Sequence, residues 1–123
     1  MNTLYLLVVG SRGFLDYNLL KDALDNIRDK NNNISIVSGG AVGADSLAEK
    51  YANENNIPIE IFRADWNKYG KSAGYIRNEE MHKYISIKEN RMCIAFWDGQ
   101  SRGTQHNFSL AKKYNNPITI IRV

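Results

Sequence analysis

The sequence predicts an α/β fold: a single Rossmann-like three-layer domain over residues 1–123, with a five-stranded, mainly parallel sheet in the order 3-2-1-4-5 and helices on both faces. Three observations predict it. Short apolar runs of strand length alternate with segments whose apolar residues recur at helical spacing, which implies right-handed βαβ crossovers. Glycine-rich turns follow the first, second and fourth runs, and the stated order makes those three strands neighbours whose carboxyl ends share a crevice at the topological switch point. The chain has 123 residues with 43% apolar content, enough for one core and too little for two ordinary domains.

Each element has its own signal. Leu4 to Val9 is a continuous apolar run, suited to a central strand covered on both faces, and Gly10-Ser11-Arg12-Gly13 ends it. Asp16 is placed to cap a helix on which Leu19, Leu20, Ala23, Leu24 and Ile27 share a side, and Asn31-Asn32-Asn33 stops it. Ile34 to Val37 forms strand two. The helix after it aligns Ala44, Leu47, Ala48, Tyr51 and Ala52 and ends at Asn55-Asn56. Strand three runs from Pro58 to Phe62, with proline tolerated at its first position because it need not donate to the ladder. A long loop containing Asp65, Trp66, Tyr69, Gly70 and Gly74 leads to a helix bearing Tyr75, Arg77, Asn78, Met81, Tyr84 and Ile85. Met92 to Trp97 is strand four, closed by Asp98 to Thr104. Phe108, Ala111 and Tyr114 line the last helix, and Pro117 to Val123 supplies the final strand.

Composition narrows the function. The net charge of +3 comes from scattered Lys and Arg with Lys112-Lys113 as the one basic doublet, so nucleic acid is an unlikely partner. The single cysteine, Cys93, excludes an internal disulfide and a Cys-based metal site, favours a reducing, cytoplasmic setting, and reads as a small core residue. No apolar run approaches the ~18 residues that span a membrane. Neither glycine turn has the G-x-G-x-x-G spacing of a dinucleotide site, and Gly70-Lys71-Ser72 lacks the preceding glycine and strand of a Walker A loop. His82 and His106 have no partners at metal-ligand spacing and read as surface residues; neither a metal nor a cofactor is expected.

The organising stretch is Ile36 to Asp45, a strand that breaks into Ser38-Gly39-Gly40-Ala41-Val42-Gly43 and opens a helix at Ala44 and Asp45. Unpaired N–H groups in such a turn, backed by the helix dipole, favour a phosphate or carboxylate, and glycines let a ligand approach the backbone. Arg12, Arg77 and Arg102 fall in or after loops at the same edge, suited to bidentate phosphate contacts or to plain solubility. Asp45 and Asp98 sit at helix starts, where they stabilise the helix or accept from ribose hydroxyls. Trp66 and Trp97 are suited to stacking on a base, or to a core or subunit contact.

Taken in order, Gly10-Ser11-Arg12, Ser38 to Asp45, Ala64-Asp65-Trp66, Arg77-Asn78 with Met81, and Asp98-Gly99 with Gly103-Thr104 resemble the YspA/cpYpsA-related family of the SLOG superfamily. The resemblance runs over nearly the whole chain. It implies binding of a nucleotide or nucleotide-derived metabolite, ADP-ribose-like or a cyclic relative, by a sensor or sequestering protein that forms a homodimer or higher homo-oligomer. The expected ligand-binding residues are Gly10, Ser11, Arg12, Ser38, Gly39, Gly40, Gly43, Ala44, Asp45, Arg77, Asn78, Asp98, Gly99, Gly103 and Thr104. The related LOG phosphoribohydrolases carry a catalytic Glu after their Gly-Thr pair. Asn107 stands at that position here, and an amide cannot do a carboxylate's work. The rival reading, an N-glycosidase or phosphoribohydrolase acting on nucleoside monophosphates, therefore rests on Arg77 to hold phosphate and Asp98 as the acid.

Overall fold

The computed structural model describes residues 3–123. In chain order it contains β1 (Leu4–Gly10), α1 (Tyr17–Asp29), β2 (Ile34–Ser38), α2 (Ala44–Glu54), β3 (Ile59–Ile61), the one-turn α3 (Trp66–Tyr69), a 3-10 turn (Gly70–Ser72), α4 (Ala73–Ser86), β4 (Arg91–Trp97), α5 (Arg102–Lys113) and β5 (Ile118–Arg122). The sheet order is β3-β2-β1-β4-β5, and all its pairings are parallel. The Rossmann-like fold expected from the sequence is the fold observed.

The apolar continuity of β1 reflects its central place. Successive side chains point to opposite faces, and Leu6, Leu7 and Val8 are all fully buried. Leu4, Leu6 and Val8 pack with Leu20 and Leu24 of α1 and with Ala48, Tyr51 and Ala52 of α2. Leu7 and Val9 pack on the other face with Cys93, Ala95, Met81 and Ile85, with Phe108 of α5 against them. Each fully buried aliphatic side chain contributes roughly 1.5–3 kcal/mol, so both faces of one strand anchor the molecule.

Side-chain caps set three of the helix starts. Asp16 accepts from the Leu19 N–H, Asp65 from Lys68 and Ser101 from Thr104. Two boundaries depart from expectation. β3 starts one residue after Pro58, because proline contributes only its carbonyl, which accepts the Ile36 N–H at 2.8 Å. The stretch expected as a loop before α4 is partly helical: Asp65 starts α3, and α4 begins at Ala73, ahead of Tyr75. Among the described residues no helix is long and apolar enough to cross a membrane.

Two glycines hold the carboxyl edge together. A Cβ on Gly10 would stand 2.5 Å from the Ala44 Cβ and 2.7 Å from the Phe96 carbonyl oxygen. Gly43 has φ +82°, and a Cβ there would run into the Ser11 and Arg12 carbonyl oxygens. The loop after β1 and the start of α2 therefore meet backbone to backbone. Gly13, in the same loop, has nothing within 4 Å of a built Cβ. We expect Gly43→Ala to cost at least about 2 kcal/mol, from a left-handed conformation compounded by overlap, and Gly13→Ala to be nearly neutral. Urea unfolding of the two variants measures the contrast; equal losses would place the constraint elsewhere.

Candidate functional site

The carboxyl ends of β1, β2 and β4 open onto a cleft of about 450 Å³. Its floor includes Val9, Gly10, Met81, Asn78 and Asn107, and its walls include Arg12, Ala41, Asp45, Trp66, Lys71, Tyr75, Arg77, Asp98, Gly103 and Thr104. The topology makes the cleft. α1 and α2 cover one face of the sheet while α4 and α5 cover the other, so the loops part where β1 meets β4.

The expected site residues divide into two groups. Gly10, Arg12, Asp45, Arg77, Asn78, Asp98, Gly103 and Thr104 border the cleft. Ser11, Ser38, Gly39, Gly40, Gly43, Ala44 and Gly99 form the scaffold around it. Ser11 is buried, and its Oγ accepts the Asp98 N–H at 3.1 Å, tying the first loop to the fourth. Ser38 is buried too; its Oγ donates to the Asp45 carbonyl and accepts from Gly40. A Cβ on Gly39 would meet Arg77 Nη1 at 2.8 Å and Asp45 Oδ2 at 2.9 Å, and one on Gly40 would meet the Arg63 guanidinium at 2.8 Å. Gly99, with φ +87°, lies against the Arg122 guanidinium. The glycine pattern was expected to clear space for a ligand, but at these positions it clears space for the protein's own arginines and loops.

The anion-binding turn after β2 already holds an anion. Asp45 is 7% exposed, and its Oδ2 accepts the Ala41 N–H at 3.1 Å, where a phosphate oxygen was expected. Burial pushes its carboxyl up to about 6, against the pull of the Ala41 N–H and the Arg77 charge. Asp98 is similarly engaged. Its Oδ1 accepts from the N–H groups of Gln100 and Ser101, both at 2.8 Å, and these contacts hold its carboxyl below the usual range. Asp45 is therefore buried in its own turn, whereas Asp98 stays exposed at the cleft wall with one carboxylate oxygen engaged by its loop.

Cationic side chains remain for an outside ligand. Arg77 Nη1 donates to the Gly39 carbonyl at 2.6 Å and Nε to Asn78 Oδ1 at 3.0 Å, which fixes a half-buried guanidinium at the cleft wall. Arg12 and Lys71 are exposed beside it. Arg63, Arg102 and Arg122 follow β3, open α5 and end β5, so the fold collects dispersed basic residues along one edge. Two exposed aromatic rings accompany them, Trp66 at 51% and Tyr75 at 46%. Lys71, Tyr75 and Arg63 were not singled out from the sequence; their signal is position, since all three follow β3 at the carboxyl edge. Trp97 belongs to the packed interior: its ring meets Phe108 edge to face and its Nε1 donates to the Ser101 carbonyl.

The surface reading of His82 is wrong. The residue is fully buried, with Nε2 against Asn107 Oδ1 and Nδ1 against Asn116 Nδ2, both at 3.1 Å. Burial lowers its pKa to about 4. His106 is half-buried and packs edge to face on Tyr75, with ring centroids 4.6 Å apart. Cys93 is a buried core residue, as expected.

The profile of the family described as YspA, cpYpsA-related SLOG matches residues 5–69. The gene 61 protein of Mycobacterium phage D29 is 36% identical over 118 residues, which is 91% of each chain. The fold is similar to DNA processing protein A from Helicobacter pylori, described by its single-stranded DNA binding mode, with a TM-score of 0.70 and 20% identity. That likeness covers 95% of this chain, which spans 64% of the length of the solved one.

The ligand and partner expectations are overturned here. A protein of the same fold is described by its single-stranded DNA binding, and in the turn expected to hold phosphate the Ala41 amide is already taken by Asp45. The cations grouped at the cleft, Arg12, Lys71 and Arg77, also remove the ground on which nucleic acid was set aside as a partner.

The two shifted groups predict a specific pH response. Asp45 keeps in the fold a proton that the unfolded chain releases, so its contribution to stability falls as pH rises from 3.8 to about 6. His82 is neutral in the fold and charges on unfolding, so its contribution rises with pH from about 4 to 6.5. The two slopes oppose each other in the parent protein. Asp45→Asn is expected to stabilise the fold at pH 7 by up to roughly 3 kcal/mol and to expose a steep rise in stability between about pH 4 and 6.5. Urea denaturation across that range checks both. A loss of stability at pH 7 would mean that the carboxylate's amide contacts outweigh its burial.

Proposed function

The chain belongs to the YspA, cpYpsA-related SLOG family, and from that fold and its basic cleft we propose that it binds single-stranded DNA across the carboxyl edge of the sheet. The observation that carries the reading is the convergence of Arg12, Lys71 and Arg77 with the rings of Trp66 and Tyr75 around one open cleft. Single strands are held by this combination. Cations follow the phosphates and aromatic faces stack on bases, with little need for a particular sequence.

The roles divide by chemistry. Arg77 is the phosphate anchor, because its bonds to Gly39 and Asn78 hold the planar guanidinium in place before a strand arrives. Arg12 and Lys71, being exposed, steer and bracket the backbone. Trp66, lying across Gly74, offers its ring as a stacking platform. Double-stranded DNA fits this reading poorly, since its bases are already stacked on each other and leave exposed rings without partners.

Fluorescence anisotropy with a labelled oligodeoxythymidylate tests the proposal. Binding through these cations should weaken with salt at a log-log slope of roughly −2, at about 0.7 per phosphate contact on a single strand. Arg77→Ala is expected to weaken binding for every sequence and to flatten the slope by about 0.7. Trp66→Ala should cost about 1–3 kcal/mol of binding and leave the slope unchanged. Absence of binding at low salt, or affinity indifferent to salt, would sink the reading.

A further inference from the structure

Beneath the proposed strand path lies a set of side chains whose hydrogen-bond polarity is forced from both ends. At one end Arg91, which can only donate, gives its Nε hydrogen to Asn116 Oδ1 at 2.7 Å. Asn116 Nδ2 must then be a donor. It contacts the His82 carbonyl and His82 Nδ1, both at 3.1 Å. His82 Nδ1 is therefore the acceptor nitrogen, and the proton of the neutral ring sits on Nε2. That proton is donated to Asn107 Oδ1 at 3.1 Å. At the other end Asn107 Nδ2 donates to the Gly103 carbonyl at 3.1 Å, which agrees with the orientation demanded from the Arg91 side.

Asn78 is oriented the same way by a different route. Its Oδ1 accepts from Arg77 Nε and its Nδ2 donates to the same Gly103 carbonyl at 3.4 Å. Asn78 and Asn107 are 6% and 2% exposed and both border the cleft. On each amide the oxygen is turned to a protein donor, Arg77 Nε or His82 Nε2, and among the described residues one Nδ2 hydrogen has no acceptor. The two floor amides thus keep a donor hydrogen to spare while their oxygens face the protein.

This polarity has a consequence for bases. A free asparagine commonly pairs with adenine by accepting from N6 and donating to N7. Here the accepting half of that pairing is disfavoured, because each oxygen is already turned to a protein donor. Guanine presents two neighbouring acceptors, O6 and N7, on the corresponding edge. We propose that the cleft floor is a guanine-selective subsite, in which Asn78 and Asn107 donate to the O6/N7 edge of one base turned out of the bound strand. Met81 and Val9, which also line the cleft, supply apolar surface for it. His82 is a positioning residue that holds Asn107 in its donor orientation.

The proposal rests on the strand reading, and its test separates the two. The parent protein is titrated with three short oligonucleotides by anisotropy: an all-adenine strand, the same strand with one central guanine, and the same strand with 7-deazaguanine there. The guanine strand should bind about tenfold tighter than the all-adenine one, and 7-deazaguanine, lacking the N7 acceptor, should lose most of that gain. Asn107→Asp replaces the donor with an acceptor, so the guanine-to-adenine ratio should fall to one or below. If that variant does not melt cooperatively, Asn78→Asp reads the same ratio. Equal affinity for the three strands, or a ratio unmoved by a folded Asn→Asp variant, would overturn the subsite and leave strand binding intact. No binding of any strand would overturn both.

Discussion

The close approach of the β1–α1 loop to the start of α2 is the constraint from which the rest of this edge follows. Gly43 sits against the Ser11 and Arg12 carbonyls, and Gly10 sits against Ala44 and Phe96. A parallel sheet with β1 at its centre must bring the loops after β1, β2 and β4 to one rim. With no side chains at Gly10 and Gly43, the rim closes into a continuous backbone surface. Ser11 completes the joint by accepting the Asp98 N–H across 87 residues of sequence. The cleft is then defined by what lies beyond this joint, on α3 and the first turns of α4 and α5.

Closing the rim so tightly has an electrostatic consequence. Amides that converge in a turn need an acceptor, and here the protein supplies one from within, the Asp45 carboxylate. That internal carboxylate takes the Ala41 amide and lies in the field of Arg77, and its burial raises the carboxyl to about 6. In the strand reading, the phosphates are met chiefly by the side-chain cations Arg12, Lys71 and Arg77. Such contacts are longer-ranged, more adaptable and more sensitive to salt than a fixed amide cradle, properties suited to a polymeric backbone.

Much of the fold was legible because its signals are local. The apolar run of β1, the helical spacing in α1 and α2 and the capping residue Asp16 each determine their own element, and alternation alone implies parallel order. The site was legible only in outline. Arg12, Arg77, Asn78 and Thr104 could be placed at the carboxyl edge because they follow strands or open helices. The use of Gly39 to Gly43 was not legible, since a glycine that admits a ligand and one that admits the protein's own arginine look identical in sequence. Nor was the collected charge: Arg12 is far along the chain from Lys71 and Arg77, and the crossovers bring it to the same cleft. His82 misled for a similar reason, because its partners Asn107 and Asn116 lie 25 and 34 residues away.

That buried histidine also accounts for the asparagine at position 107, where the resemblance to LOG enzymes implies an acid. A carboxylate at position 107 would receive the His82 Nε2 hydrogen as readily as the amide does, but it would have nothing to give the Gly103 carbonyl. Two oxygens would face each other, at an energetic cost typical of an unsatisfied buried group, about 1–3 kcal/mol. The amide fits both neighbours at once. With its oxygen turned to His82 and one hydrogen given to Gly103, the amide keeps one hydrogen to spare, and it is this hydrogen that the proposed guanine subsite uses.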